Sequence, residues 1–429
     1  MESEKPMMPE DIRRLYRPRI IDGIIEKELS AFGGVLITGP KSCGKSWTGL
    51  NHSKSSIFMS PGSTTELALL DPQSALEGEF PHLVDEWQLV PSLWDHARRN
   101  IDKGHKKGMY IFTGSSTPLS GKTQHTGIGR FAKIEMRTMS LFESGKSNGA
   151  VSLSNLFRTG RTDVVRSDID YRGIIDLICR GGWPAASELD EGSSLRIPYQ
   201  YIKSIKETDM SKIDGKRRSR TTVDTVLRSL ARNNATLAGN SKLIADIQRS
   251  GASISEPTLR SYLDVLKNLY IIEEQDAWHP SLRSRTRIRT SPKRHFTDPS
   301  LAAAVLGAKP DILHKDPLTA GFLFESLCYR DLSVYASASD GSVFHYKDDS
   351  DLEVDQIIQL DDGRWGAAEV KIGTSEFDKA AANLIRMKKK MIEAGVRPPS
   401  FLMILNVTGV AANTRSDGVV EVPIDCLGP

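Results

Sequence analysis

The stretch Gly39-Pro-Lys-Ser-Cys-Gly44-Lys45-Ser46 constrains this chain more than any other. It fits the pattern G-x-x-x-x-G-K-[ST] at every fixed position. The preceding run, Gly34-Val-Leu-Ile-Thr38, is short, apolar and β-branched and reads as a buried strand. The residues from Trp47 onward have no strand pattern and can open a helix. Strand, glycine loop and helix start together form a phosphate cradle. Gly39 and Gly44 allow a sharp turn and close approach of backbone to a ligand. Exposed N–H groups at a helix N-terminus favour an anion. On this reading Gly39, Pro40, Lys41, Ser42, Cys43 and Gly44 wrap the phosphates. Lys45 reaches the β- and γ-phosphates of ATP, and the Ser46 hydroxyl holds Mg²⁺.

Two further stretches fit the same chemistry. Leu83-Val-Asp85-Glu86 has the form of a strand ending in two acids. Asp85 would hold Mg²⁺ and Glu86 would act as base or orienting group for water. Alternating side chains would point the two acids apart, so both serve only if the strand stops there. Met109-Tyr-Ile-Phe-Thr113-Gly-Ser115-Ser116 is a second apolar run ending in hydroxyls. In an α/β sheet, ligands sit at the carboxyl ends of strands. Thr113, Ser115 or Ser116 could sense the γ-phosphate, or simply form a polar turn. Arg130, behind Gly127 and Gly129, suits either a finger on transition-state charge, in cis or from a neighbour, or a surface ion pair.

With 429 residues the chain exceeds one compact core, and two or three domains are expected. The net charge of +3 makes the whole chain no polycation, so any nucleic-acid surface must come from local clusters. Cys43, Cys179, Cys328 and Cys426 stand singly, without a C-x-x-C pair for zinc or redox work. With no apolar leader and no bilayer-length apolar run, the expectation is a cytoplasmic protein that makes no membrane contact.

Taken together, residues from about Tyr16 to Glu143 resemble the bacterial and archaeal AAA-type P-loop ATPase family. The matching motifs are Tyr16-Arg-Pro-Arg19, Gly33-Gly-Val-Leu-Ile-Thr-Gly-Pro-Lys, Leu83-Val-Asp-Glu-Trp-Gln-Leu-Val-Pro91, Phe112-Thr-Gly-Ser-Ser116, Gly129-Arg130 and Met139-Ser-Leu-Phe-Glu143. The resemblance implies Lys45, Ser46, Asp85 and Glu86 at the nucleotide, Ser115 as a sensor and Arg130 as a finger. Lys41, Cys43 and Ser46 depart from the commoner arginine, valine and threonine without removing a needed group. Arg17 and Arg19 read as solvated arginines, with a base or a neighbouring subunit as the other possibility.

The rest of the chain divides by pattern. Ser144 to Arg166 is polar and Gly/Ser-rich and reads as a loop or linker. From Thr222, three short amphipathic helices run into Tyr270-Ile-Ile-Glu-Glu, a strand. Three helices and a strand pair fit a winged helix-turn-helix, a module that serves DNA or protein contacts. Arg283, Arg285, Arg287, Arg289 and Lys293 come next. On one face of a strand they would form a phosphate-binding wing for DNA or a charged edge.

Near the C-terminus, Glu353-Val-Asp355 and Glu369-Val-Lys371 sit on two predicted strands, and Glu325 sits in an apolar helical run. A hairpin would bring Asp355 beside Glu369 and Lys371. Glu325, Asp355, Glu369 and Lys371 resemble the core of the PD-(D/E)xK nuclease superfamily. That likeness implies Mg²⁺ on the acids and a lysine activating water; a salt-bridged hairpin on an inactive scaffold is the other reading. The expected fold is therefore α/β. It comprises an AAA-type ATPase domain (1–150), a helical linker or lid (151–220), a winged helix (221–305) and a restriction-endonuclease-like domain (306–429). A protein partner and a homo-oligomer remain open.

Overall fold

The computed structural model describes residues 14–114, 127–209, 219–280 and 291–429. Ser115 and the arginines at 283, 285, 287 and 289 lie outside the described residues. The chain forms two compact units, the first chiefly from the residues up to Thr138, the second chiefly from Met139 to Pro429.

The first unit is a parallel sheet. Its strands are β1 (Gly34–Thr38), β2 (Ser55–Phe58), β3 (His82–Asp85), β4 (Tyr110–Gly114) and β5 (Phe131–Glu135), in the order β2-β3-β4-β1-β5. Central strands of a parallel sheet are covered on both faces and need apolar residues throughout. All four residues of β3 and all five of β4 are buried accordingly. Helix α1 (Ile21–Ala31) buries Ile21 and Ile25, and α2 (Lys45–His52) leaves the carboxyl end of β1. Helix α3 (Ser92–Gly104) presents Leu93, Trp94, Ala97 and Ile101 on one face, the spacing of an amphipathic helix. Trp94 stacks on Phe131 with ring centroids 4.2 Å apart, tying α3 to β5.

The second unit holds a mixed sheet. The Ser144–Arg166 stretch, expected as a linker, contributes β6 (Val151–Ser152), helix α4 (Leu153–Thr159) and β7 (Val165–Arg166). Its serines serve the fold, since the Ser152 hydroxyl caps α4 by accepting from the Asn155 amide. Helices α5 (Arg220–Arg232), α6 (Asn240–Arg249) and α7 (Glu256–Asn268) precede an antiparallel pair, β8 (Ile272–Gln275) and β9 (Lys293–Phe296). Helix α8 (Pro317–Ser337) then leads to β10 (Gly341–Lys347), β11 (Glu353–Leu360) and β12 (Trp365–Lys371). Helix α9 (Phe377–Glu393) crosses to β13 (Leu402–Asn406), which runs parallel to β12. Strands β14 (Ala411–Thr414) and β15 (Val420–Pro423) extend the sheet in the order β10-β11-β12-β13-β15-β14-β7. Strand β6 pairs separately with β16 (Leu427–Gly428).

Ala381, Leu384 and Met387 of α9 pack on Trp365 and Ile404, forming the apolar core of this sheet. A buried ion network braces the unit beside it. Arg330 of α8 donates to Asp298 at 3.0 Å and to Asp331 at 2.7 Å, and the two acids are fully buried. Asp331 also accepts from the Leu141 amide at 2.9 Å, and Asp298 from the Gly182 amide at 2.9 Å. All four cysteines are free and buried. Among the described residues no helix is long and apolar enough to cross a membrane.

Candidate nucleotide site

The loop between β1 and α2 is held in a shape that few sequences allow. Gly39 has φ 147° and Gly44 φ 110°, conformations that favour glycine. A Cβ on Gly39 would also stand 2.1 Å from the Met136 carbonyl oxygen, which forbids any side chain there. Ser42 at φ 60° adds a third left-handed residue to the turn. A run of such residues turns successive N–H groups toward one concavity, which suits an anion. Cys43 fills the space beneath, with its Sγ 3.7 Å from the Met136 carbonyl. Lys45 is 6% exposed, and its ammonium donates to the carbonyls of Gly39 at 3.0 Å and Pro40 at 2.7 Å. The lysine therefore closes the loop on itself and, among the described residues, contacts no carboxylate of another element.

Asp85 stands opposite the loop at the end of β3. The Ser46 hydroxyl donates to both of its oxygens, at 2.9 and 3.0 Å, and the Thr113 hydroxyl at the end of β4 donates to one of them. A serine hydroxyl and a carboxylate side by side are the oxygen donors that a hard cation such as Mg²⁺ takes while keeping several waters. These residues fit that ion.

Glu86 has φ 53°, so the strand does stop at Asp85 and the chain turns into Trp87–Leu89. The turn frees Glu86 from strict alternation. Its carboxylate accepts from the Gln88 side-chain amide. A Cβ on Gly114 would stand 2.6 Å from the Gln88 Oε1, which sets Gln88 against the end of β4.

One placement differs from the sequence reading, and another decides between its alternatives. Arg19 is not solvated. It is 7% exposed, and its guanidinium donates to the carbonyls of Cys43 at 2.9 Å and Arg137 at 2.9 Å. It thus fastens the loop from behind. Arg130 faces away from the loop. Gly34 pairs with Phe131 and Thr38 with Glu135, so Arg130 adjoins the amino end of β1 while the loop leaves its carboxyl end. Four residues of strand, about 13 Å, separate the two ends. Arg130 instead pairs with Asp102 at 2.8 Å, and the finger in cis is excluded by this arrangement.

Sequence reasoning missed the supporting roles of Arg19 and Gln88. A signal for the first was available. Tyr16-Arg-Pro-Arg19 ends two residues before the first apolar position of α1, where a long polar side chain can fold back beneath the loop. Tyr16 does so too, with its hydroxyl 2.7 Å from Asp22 and 3.0 Å from the Thr48 hydroxyl of α2.

The same loop and strand ends fall inside a recognised family. Residues 32–144 match the family model described as AAA domain. This stretch of the first unit is thus similar to an AAA domain. Residues 171–312 and 320–427 match two family models described as domains of unknown function, DUF8612 and DUF4143. No curated protein matches the chain. Among solved structures, a Walker-type ATPase of Pyrococcus abyssi is 17% identical, covering 71% of this chain and 99% of that one, with a TM-score of 0.45. AMPPCP-bound DnaA from Aquifex aeolicus is 12% identical, covering 61% of this chain and 91% of that one, with a TM-score of 0.24. The Hef helicase domain of Pyrococcus furiosus is 11% identical, covering 93% and 91%, with a TM-score of 0.21. Likenesses this loose carry no weight for fold or activity.

The second unit brings its acidic residues together. Strands β11 and β12 pair antiparallel with Gln356 opposite Ala368, and the Val370 amide donates to Asp355 at 2.9 Å. Lys371 contacts Glu369 at 2.7 Å and Asp355 at 3.6 Å. Glu369 further accepts from the Asn383 side chain at 2.6 Å. Glu325 reaches the same cluster from α8. So does Lys293, expected on a DNA-binding wing. It is 2% exposed and lies 2.8 Å from Glu325, 3.2 Å from Glu353 and 3.5 Å from Asp355. A side chain so enclosed cannot meet a phosphate backbone, so Lys293 has no place on such a wing.

Burial pushes Glu325 up to about 7 against the pull of Lys293, and pushes Glu369 up to about 7 with Asp355 adding to it. Burial pushes Asp355 up, but Lys293, Lys371 and hydrogen bonds from the Val370 amide and Glu369 together hold it below its usual range. The expected metal cage of Glu325, Asp355 and Glu369 does not fit this arrangement, because ammonium groups already stand between the carboxylates. Among the described residues no group of three or more His, Cys, Asp or Glu side chains is placed to hold a metal ion.

Proposed function

We propose that this protein is an ATP-binding, Mg²⁺-dependent ATPase whose N-terminal unit acts as a nucleotide-driven switch. The observation that carries the reading is the contact of Ser46 with both oxygens of Asp85, which sets the loop and the acidic strand end at one point. Lys45 would exchange the Gly39 and Pro40 carbonyls for β- and γ-phosphate oxygens. Ser46 and Asp85 would hold Mg²⁺, with Thr113 fixing the Asp85 carboxylate. The ion supplies neutralisation of charge on the phosphates. Glu86 would orient the water that forms the new bond to the γ-phosphorus while the bond to the bridging oxygen breaks and ADP leaves. Gln88 would hold the Glu86 carboxylate until the nucleotide is seated.

The switch would act through the chain that continues from β5. Met136 donates to Thr38 and its carbonyl bounds Gly39, and three residues later the second unit begins at Met139. In the same proposal α5, α6, α7 and the β8–β9 pair serve as a winged helix that carries the output to DNA or a protein partner. No observation favours DNA cleavage, since lysines fill the acidic cluster.

The test is Glu86→Gln. ATP should still bind, and turnover should fall by about 100-fold or more, within the range for loss of a positioned general base. Turnover within threefold of the wild type would refute the role of Glu86. Equal ATP binding with no turnover in the wild type would instead favour a nucleotide-controlled scaffold.

A further inference from the structure

In the second unit, three carboxylates from two elements converge on one point. Glu325 comes from α8, and Glu353 and Asp355 come from β11. Each stands within 3.5 Å of the Lys293 ammonium, which arrives on a separate strand, β9. The ammonium is the most enclosed member, at 2% exposed against 37% for Glu353 and 16% for Asp355. An isolated ammonium buried this far is strongly disfavoured, so its counter-charges hold it in place. Lys371 neutralises Glu369 on the neighbouring strand, and Lys347 meets the other oxygen of Glu353 at 3.3 Å. The acids thus surround a cation that is covalently part of the chain. A divalent ion would need the same oxygens at about 2.0–2.6 Å, the space that the ammonium holds.

We propose that Lys293 is a resident cation that occupies the position of a divalent metal in this acidic cluster, keeping the native cluster closed to Mg²⁺ and Mn²⁺. The second unit then works without a bound metal there. Removing the ammonium leaves carboxylates in excess around an unfilled centre, and the cluster becomes a divalent-cation site. This inference is independent of nucleotide chemistry in the first unit.

The experiment uses the full chain without nucleotide, titrated with Mn²⁺ and followed by the electron paramagnetic resonance of free Mn²⁺. Lys293→Met should gain a Mn²⁺ site at least about tenfold tighter than any in the wild type, a difference of about 1.4 kcal/mol. Lys293→Arg, which keeps the charge, should gain none. Adding Asp355→Asn to Lys293→Met should abolish the gained site. The proposal is overturned if the wild type already binds Mn²⁺ in a manner that Asp355→Asn removes, or if folded Lys293→Met gains no site. Should Lys293→Met unfold, Mn²⁺ should restore its cooperative unfolding transition and EDTA should reverse this. A chain that stays unfolded in Mn²⁺ while Lys293→Arg folds would also overturn the proposal.

Discussion

Replacing Arg19 with alanine tests whether the nucleotide loop is held from behind. The guanidinium makes two hydrogen bonds of 2.9 Å, one to the loop at Cys43 and one to Arg137, at 7% exposure. A hydrogen bond from a charged donor contributes about 1.5–3 kcal/mol, so the pair is worth about 3 kcal/mol at the low end. Cys43 directly precedes Gly44, and Arg137 comes after Met136, whose carbonyl bounds Gly39. Part of the loss should therefore fall on the loop, which nucleotide binding must then order again. We expect ATP affinity to fall about 10- to 100-fold, equivalent to about 1.4–3 kcal/mol, with the remainder appearing as lower global stability. Arg19→Lys should lie between, because an ammonium keeps the charge but lacks the fork that reaches two carbonyls. The assay is titration of a fluorescent ATP analogue, with urea unfolding measured in parallel. A folded Arg19→Ala protein that binds ATP within twofold of the wild type would refute the reasoning.

Arg330→Met strands Asp298 and Asp331, both fully buried, and should cost about 3–5 kcal/mol in urea unfolding, as for other broken buried ion pairs; a loss under about 1 kcal/mol would contradict that role. His345 is fully buried, and burial, helped by Lys293, pushes its imidazole down to about 4. The unfolded chain, with a histidine near its ordinary value of about 6.5, binds more protons between those values, so this contribution to stability is lost as pH falls. Between pH 7.5 and 5.5 it amounts to about 1 kcal/mol, to be read as the difference between wild type and His345→Leu in urea titrations at the two pH values; an unchanged difference would refute it.

The nucleotide loop was legible because its requirements are local. Glycines at positive φ, a lysine and a hydroxyl fall within eight residues, and β1 precedes them as one apolar run. The end of β3 at Asp85 was legible only as a condition, since alternation could not say where the strand stopped; the left-handed Glu86 stops it. Arg19 was misread, and Arg130 was left between a finger and a surface ion pair, because the position of each depends on strand register and packing across the sheet, which no local pattern carries. Lys293 was misread for a related reason. A lysine after an arginine run looks basic and exposed, and its burial results from carboxylates that lie 32 to 62 residues further along the chain. The acidic pairing of Asp355 with Glu369 and Lys371 was foreseeable, because a short hairpin fixes its own register.

The most direct measurement is ATP binding to the full chain with Mg²⁺, compared between the wild type and Lys45→Ala. Saturable binding to the wild type and an affinity loss of about 100-fold or more in the folded variant are predicted, the scale expected when a buried charge-assisted contact to phosphate is removed. A wild type that binds no ATP, or a variant that binds it as well as the wild type, would contradict the account.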